Sequence, residues 1–152
     1  MPKLYVMIGI PGAGKSYYVK HHLGNLPVVS RDEIRFSITG EDEHYHAYEK
    51  QVFSMFVNGI VEHLKNDESV VADATHVSKA SRRKLLWAID KYIRDYQIVY
   101  VVIDTNLAGA IRHNAMRQGR EHVPYEVIER FHDMFEFPYV DEDDRISEII
   151  IV

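Results

Sequence analysis

Residues 9–16 read Gly9-Ile10-Pro11-Gly12-Ala13-Gly14-Lys15-Ser16 and match the pattern GxxxxGK[ST] at every fixed position. The glycines leave room for consecutive backbone N–H groups to point inward at phosphate oxygens. In this pattern the lysine reaches the β- and γ-phosphates of a nucleotide, and the serine hydroxyl ligates Mg²⁺. The stretch therefore predicts a phosphate-binding loop that takes a magnesium nucleotide, with ATP as the expected donor.

The loop joins a predicted strand to a predicted helix. An apolar run of strand length ends at Ile8, and residues 15–23 have the pattern of a helix. A helix N-terminus favours anions, because its free N–H groups and dipole point at the ligand. We therefore expect contacts with the nucleotide from these residues: Gly9, Pro11, Gly12, Ala13, Gly14, Lys15, Ser16 and Tyr17.

Composition indicates a single globular domain over residues 1–152. The chain is 46% hydrophobic and 27% charged, and no apolar run approaches the roughly 18 residues of a membrane span. The apolar N-terminal strand runs straight into the loop, so we expect no signal peptide and a cytoplasmic location. The absence of cysteine excludes disulfides, thiolate nucleophiles and Cys-ligated zinc. The net charge of -5 argues against a general electrostatic grip on nucleic acid, although it allows a local one.

Strand-like and helix-like segments alternate along the rest of the chain. Residues 98–103 are continuously apolar, as expected of a central parallel strand covered on both faces. The alternation predicts a three-layer α/β/α sandwich around a five-stranded parallel sheet. Further strands are predicted at residues 27–30, 69–73, 97–104 and 146–152, a turn at 39–43, and helices at 45–66, from 78, at 106–117 and at 124–135.

Polar residues follow two of these strands, at the edge of the sheet where parallel α/β folds bind ligands. Asp32 and Arg35 follow the second strand, and Asp73 ends the third. Phosphoryl transfer needs an acid to accept the hydroxyl proton and an arginine to neutralise charge. Asp32 is therefore either this base or a helix N-cap, and Ser30 could supply the cap instead. Asp73 could bind a water of Mg²⁺ or orient Ser16 or Arg35.

Four stretches, in order, resemble the kinase domain of the phage-type polynucleotide 5′-hydroxyl kinase family. They are the loop, Ser-Arg-Asp-Glu-Ile-Arg at 30–35, Asp-Ala-Thr-His at 73–76, and Asn-Ala-Met-Arg at 114–117 leading through Gly119 to Val123-Pro124. The chain lacks the Asn-Lys-x-Asp motif that reads guanine, which argues against a GTPase. A kinase is the leading interpretation.

The resemblance implies a P-loop NTPase fold of sheet order 2-3-1-4-5, which would place Asp73 beside the loop. It also implies Asp32 as general base on the acceptor hydroxyl, Arg35 on the acceptor phosphate, and Arg117 as a lid arginine over the donor phosphates. The acceptor would be the 5′ end of DNA or RNA, contacted by Asp32, Arg35, Asp73 and Thr75. Ser16 and Asp73 would serve the metal.

The chain departs from the family near the lid. His113-Asn114 stands where that family often has Arg-Asn, and one extra residue separates Arg117 from the Val-Pro pair. The polar segment 118–122 is a candidate for a mobile lid, because it contains Gly119 and lies between two helices.

Two other groups of side chains have more than one interpretation. Lys79, Arg82, Arg83 and Lys84 form a basic cluster, which is either a solvated helix face or a contact for nucleic-acid phosphates. The histidine pairs 21–22 and 44/46 lack carboxylates at metal-ligand spacing, so we interpret them as surface residues.

Three functions remain open at this stage. The first is an ATP-dependent polynucleotide 5′-hydroxyl kinase. The second is a small-molecule kinase acting on a nucleoside, sugar or antibiotic hydroxyl, with the same loop and base but a closed acceptor pocket. The third is a non-catalytic nucleotide-binding switch, which would not need Asp32. The sequence does not give the oligomeric state.

Overall fold

A computed structural model describes residues 1–40, 48–119 and 122–152 of the chain. Its five strands form one parallel sheet in the order β2-β3-β1-β4-β5, which confirms the predicted order 2-3-1-4-5. The strands are β1 Lys3–Ile8, β2 Val28–Ser30, β3 Val70–Asp73, β4 Gln97–Val102 and β5 Ile146–Ile151. The strand β1, which leads into the phosphate loop, is therefore the middle strand and pairs with β3 on one side and β4 on the other.

Helices cover both faces of this sheet. They are α1 Lys15–His22, α2 Arg31–Thr39, α3 Glu49–Lys65, α4 Lys79–Asp90, α5 Leu107–Ala115 and α6 Tyr125–Met134, with a 3₁₀ turn at Val140–Glu142. In the described parts of the chain, no helix is both long enough and apolar enough to cross a membrane.

Alternate side chains of the central strands enter two separate cores. Val6 and Ile8 of β1 pack on one face with residues of α3 and α4. Met7 packs on the other face with residues of α1, α5 and α6. Because successive side chains of a strand point to opposite faces, a strand buried on both sides has to be continuously apolar. This explains the apolar run in β4 and confirms the three-layer architecture.

The helix α2 follows β2 directly and spans nine residues. The side chain of Ser30 accepts a hydrogen bond from the backbone N of Glu33 at 3.2 Å and so caps the helix. The buried Phe36 anchors the helix to the core, and Gly40 ends it with a φ of 87°. The tertiary anchor extends the helix, and the predicted turn at 39–43 is wrong at Thr39, which is helical.

Three large apolar residues that share the helical spacing of the buried residues, and that we therefore expected in the core, are exposed. Tyr48 is the N-cap residue before α3, Met55 lies on the exposed side of α3, and Tyr92 lies beyond the C-terminus of α4, which ends at Asp90. The spacing of apolar residues identified the helices, but it did not identify which apolar residues at their ends and outer sides are exposed. The predicted start of α3 at Tyr45 and the histidines at 44 and 46 lie outside the described residues, whereas His21 and His22 are exposed as expected.

Arg82 of the predicted basic cluster is buried, with a relative exposure of 1%. Its Nε and Nη2 donate to the carboxylate of Glu142 at 3.0 and 3.1 Å. Its Nη1 also donates to the backbone oxygens of His76 and Val77, at 2.9 and 3.1 Å. A buried charge that is paired and fully hydrogen-bonded is typical of a structural role. Arg82 therefore fixes α4 to the segment before β5, and both interpretations of this residue, as part of a solvated helix face and as a phosphate contact, are wrong.

Candidate functional site

The phosphate loop requires glycine at two positions in this structure. Gly12 and Gly14 have φ angles of 84° and 104°, which side chains of L-residues rarely allow. A Cβ atom at Gly12 would also lie 2.5 Å from the backbone oxygen of Ala110 in α5. The glycines thus let the loop turn sharply while α5 packs directly behind it.

Lys15 lies at the start of α1, and its side chain folds back over the loop. Its Nζ donates hydrogen bonds to the backbone oxygens of Gly9 and Ile10 at 2.8 and 3.0 Å. Burial lowers the pKa of Lys15 to about 8, although the negative charges of Asp73 and Asp32 act in the opposite direction. Arg117 contributes to the lowering through its positive charge. Charged groups from three other segments of the chain therefore act on one ammonium group.

Asp73 is the last residue of β3, and β3 pairs with β1 beside the loop. A backbone hydrogen bond of 3.0 Å from the N of Gly9 to the O of Thr75 holds the turn after β3 against the loop. Burial raises the pKa of Asp73; the charge of Lys15 lowers it, and that of Asp32 adds to the increase. The parallel sheet thus brings the third predicted motif to the first, 64 residues away by number (73 − 9).

Asp32 lies in the first turn of α2, and Ser30 takes the capping role there. The side chain of Asp32 is 72% exposed, and one oxygen pairs with Nη1 of Arg35. Arg35 itself is only 16% exposed. Of the two roles left open for Asp32, the N-cap is excluded, and the carboxylate is accessible to a substrate.

Sequence reasoning missed Glu49, in the first turn of α3. Its carboxylate accepts from Nε and Nη2 of Arg35 at 2.6 and 3.2 Å, and from Nη2 of Arg31 at 3.1 Å. Desolvation by itself would raise the pKa of Glu49, but the hydrogen bonds and charges of the two arginines lower it below its usual range. No sequence signal links these residues, because the pairing depends on how α2 and α3 pack.

His113, which departs from the family pattern, and its neighbour Asn114, which matches it, both make specific contacts. Nδ1 of His113 lies 2.8 Å from the backbone oxygen of Gly12, an arrangement in which the ring nitrogen donates. The buried side chain of Asn114 donates to the O of Val123 at 2.7 Å and accepts from its N at 2.9 Å. The end of α5 is thus fixed both to the loop and to the segment that follows Arg117. Arg120 and Glu121, in the candidate lid, lie outside the described residues.

The donor set at the loop fits a magnesium nucleotide better than a free metal ion. In the described part of the chain, no three His, Asp or Glu side chains form a group that could hold a metal. Mg²⁺ in kinases is held by one or two protein groups, while phosphates and waters supply the remaining ligands. The exposed Ser16 hydroxyl and the carboxylate of Asp73 are suitable groups for such a complex.

The parallel sheet, the glycine loop and the lysine beside two carboxylates define a P-loop protein of the kinase type. A family model described as an AAA domain matches residues 4–138, and the chain belongs to this family. Membership implies nucleotide binding, and the kinase-like fold supports a phosphotransferase.

Solved structures with the same fold include a chain of an RNA repair complex and a sugar kinase. A chain in the "Pnkp1/Rnl/Hen1 RNA repair complex" is 25% identical, with a TM-score of 0.75 over 88% of this chain and 43% of that chain. A sugar kinase from Janibacter sp. HTCC2649 is 12% identical, with a TM-score of 0.69 over 100% and 85%. Chaetomium thermophilum Kti12, in complex with ADP-AlF3, is 14% identical, with a TM-score of 0.64 over 98% and 88%. The chain spans less than half the length of the RNA-repair chain.

The lowered pKa of Lys15 predicts proton uptake when a nucleotide binds. Phosphates favour the ammonium form, so binding should raise this pKa again, and a protein with Lys15 neutral must take up a proton. With a pKa of about 8 in the free protein, uptake should be small at pH 7 and approach about 0.9 proton at pH 9. Nucleotide affinity should therefore fall as the pH rises above 8.

Calorimetric titration with ADP at pH 9, in two buffers of different ionisation enthalpy, measures this uptake. The Lys15→Met variant is the control and should show none. Equal heats in the two buffers for the wild-type protein would contradict the prediction.

Proposed function

We propose that this protein transfers the γ-phosphate of ATP to a hydroxyl, and that its acceptor is the 5′-hydroxyl of a polynucleotide. The observation that carries the proposal is the position of Asp32. Its exposed carboxylate is held by Arg35 and is close enough to the loop lysine to influence its ionisation. A nucleotide-binding switch would not need an accessible acid at this point.

The donor half of the site consists of the loop and α1. Backbone N–H groups of the loop and the Lys15 ammonium would hold the β- and γ-phosphates. Ser16 and Asp73 would hold Mg²⁺, which neutralises phosphate charge when bound. Arg117, whose charge acts on Lys15, would cover the transferring group from the side of α5. Together these groups stabilise the charge that develops on the transferring phosphoryl group.

The acceptor half consists of α2 and the end of β3. Asp32 accepts the proton of the acceptor hydroxyl while the hydroxyl oxygen forms a bond to the γ-phosphorus. The bond between the γ-phosphorus and the oxygen that bridges it to the β-phosphate breaks, and ADP is released. A carboxylate is a weak base, but it is sufficient because proton removal is late in a loose transition state. Thr75 and Asp73 lie at the same edge of the sheet, and we assign them to acceptor binding.

Arg35 favours a polynucleotide acceptor in this scheme. Its guanidinium is fixed by Glu49 in a bidentate pair, so its direction is set before substrate binds. A fixed guanidinium suits the phosphate on the 3′ side of the reacting nucleoside. A small-molecule acceptor is the second candidate. Arg35 already pairs with Asp32 and Glu49, and these pairs would explain the residue as purely structural, without an acceptor phosphate.

The direct test is incubation with γ-labelled ATP, Mg²⁺ and a panel of acceptors. The panel contains 5′-hydroxyl DNA and RNA oligonucleotides, nucleosides and sugars. Label on the oligonucleotides supports the proposal, and label on a nucleoside or sugar alone supports the second candidate. Label that appears only on inorganic phosphate would contradict both transfer functions.

The Arg35→Ala variant is expected to distinguish the two acceptors. Loss of a charge-assisted contact should raise KM for a nucleoside 3′-phosphate roughly 10-fold or more, with a much smaller change for the bare nucleoside. The ratio of the two KM values within one variant removes any general effect on folding. Equal increases for both acceptors would contradict the polynucleotide proposal without affecting Asp32 as base.

A further inference from the structure

The outer face of α4 carries exposed cations around the single tryptophan of the chain. Arg83, Lys84, Trp87 and Lys91, the last at the C-cap, are all exposed, and we call them the α4 ridge. Residues 83, 87 and 91 follow each other at intervals of four, so they form one line of about 12 Å along the helix. Trp87 is 72% exposed, and Nζ of Lys91 lies 5.6 Å from the centre of its ring.

The ridge is continuous with the acceptor half of the site. Nζ of Lys84 lies 4.7 Å from the centre of the Phe53 ring, and Cζ of Arg31 lies 5.4 Å from the same centre. Arg31 shares the carboxylate of Glu49 with Arg35. A row of basic groups therefore leads from the proposed acceptor arginine across Phe53 to α4.

The charge on α4 is not balanced by the helix itself. Its one acid, Asp90, is paired with Arg145 through two contacts of 2.8 Å. Arg82 points inward to Glu142, so it does not belong to this surface. The ridge is thus a locally positive surface in a chain of net charge -5. An ordinary solvent-exposed helix face would not concentrate its cations beside the site.

We propose that the α4 ridge binds the single-stranded nucleic-acid segment on the 3′ side of the reacting end. This inference rests on the proposed polynucleotide acceptor. Arg83, Lys84 and Lys91 contact backbone phosphates, and a base stacks on Trp87, a combination that binds single strands without regard to sequence. A protein partner fits less well, because lysine is depleted in the centres of protein interfaces and the neighbours of this tryptophan are cations.

The fluorescence of Trp87 gives a binding test that does not depend on activity. The signal reports on the ridge alone, because the chain has no other tryptophan. Single-stranded DNA and RNA 12-mers should quench this fluorescence at 50 mM salt, and the affinity should fall as salt is added. In Lys84→Ala, the slope of log K against log salt should become shallower by about 0.7. The control Lys20→Ala removes an exposed lysine from α1, and it should keep the wild-type slope.

A length series of acceptors separates this inference from the proposed function. In Trp87→Ala, KM for a 12-mer relative to that for a dinucleotide should rise roughly 5- to 150-fold, the range of one stacked base, and Trp87→Phe should recover part of the loss. An unchanged ratio would overturn the ridge while transfer to both acceptors still supported the kinase. Quenching that depends on Lys84, with no transfer to any oligonucleotide, would support the ridge as a binding surface and contradict the proposed function. Absence of quenching by both 12-mers, or equal slopes for the two lysine variants, would overturn the ridge.

Discussion

Lys15→Ala is expected to lower kcat roughly 10³-fold or more while the fold is retained. The ammonium group is the cation that the loop presents to the β- and γ-phosphates, and loss of such a contact during phosphoryl transfer has effects of this size. In the free protein the same group is partly desolvated, and its pKa is lowered to about 8. Removing it should therefore not destabilise the fold, since a desolvated cation contributes unfavourably to folding at neutral pH.

The measurement combines steady-state kinetics with thermal unfolding. Lys20→Ala, five residues further along α1 and exposed, is the matched control for truncation of a lysine on this helix. It should keep both kcat and Tm. A Lys15→Ala variant with near wild-type kcat would show that the loop is not the active site, whereas a large fall in Tm would show that its side chain is needed for folding.

The strands and the position of the loop could be predicted because they depend on local patterns, whereas the order of the sheet was implied by the resemblance to the kinase family. Apolar runs identify buried parallel strands, and the fixed residues of the loop identify a strand followed by a helix N-terminus. Gly12 illustrates the physical reason. Its positive φ and its close approach to Ala110 both require glycine, so the loop conformation leaves a fixed residue that can be recognised in the sequence.

Contacts between helices could not be predicted in this way. Arg82 and Arg83 are adjacent arginines in one helix, yet one is buried against Glu142 and the other is exposed. The position of each side chain around the helix axis decides which of the two is buried. A cluster of basic residues in the sequence does not show which side of the helix packs on the core. Glu49 is the same case, because its pairing with Arg35 exists only once α3 packs on α2.

Asp32→Asn is expected to lower kcat roughly 10²- to 10⁴-fold with nucleotide affinity retained, the usual range for a positioned base. Asparagine has nearly the same shape but cannot accept the hydroxyl proton. The variant also weakens the pair with Arg35, but Glu49 still holds that guanidinium through two hydrogen bonds of 2.6 and 3.2 Å. The acceptor arginine should therefore keep its direction, so the loss measures the base itself.

Glu33→Gln is the matched control, because it removes one negative charge from the same exposed turn of α2. If Asp32 acts only through its charge near Lys15, Asp32→Asn should change the ADP dissociation constant and leave kcat within about threefold of wild type, and Glu33→Gln should change neither. If Asp32 is the base, Asp32→Asn should change kcat alone, with the ADP dissociation constant and the acceptor KM within about threefold of wild type. A near wild-type kcat in Asp32→Asn would contradict the role of Asp32 as base. Asp32 would then act only as a partner of Arg35.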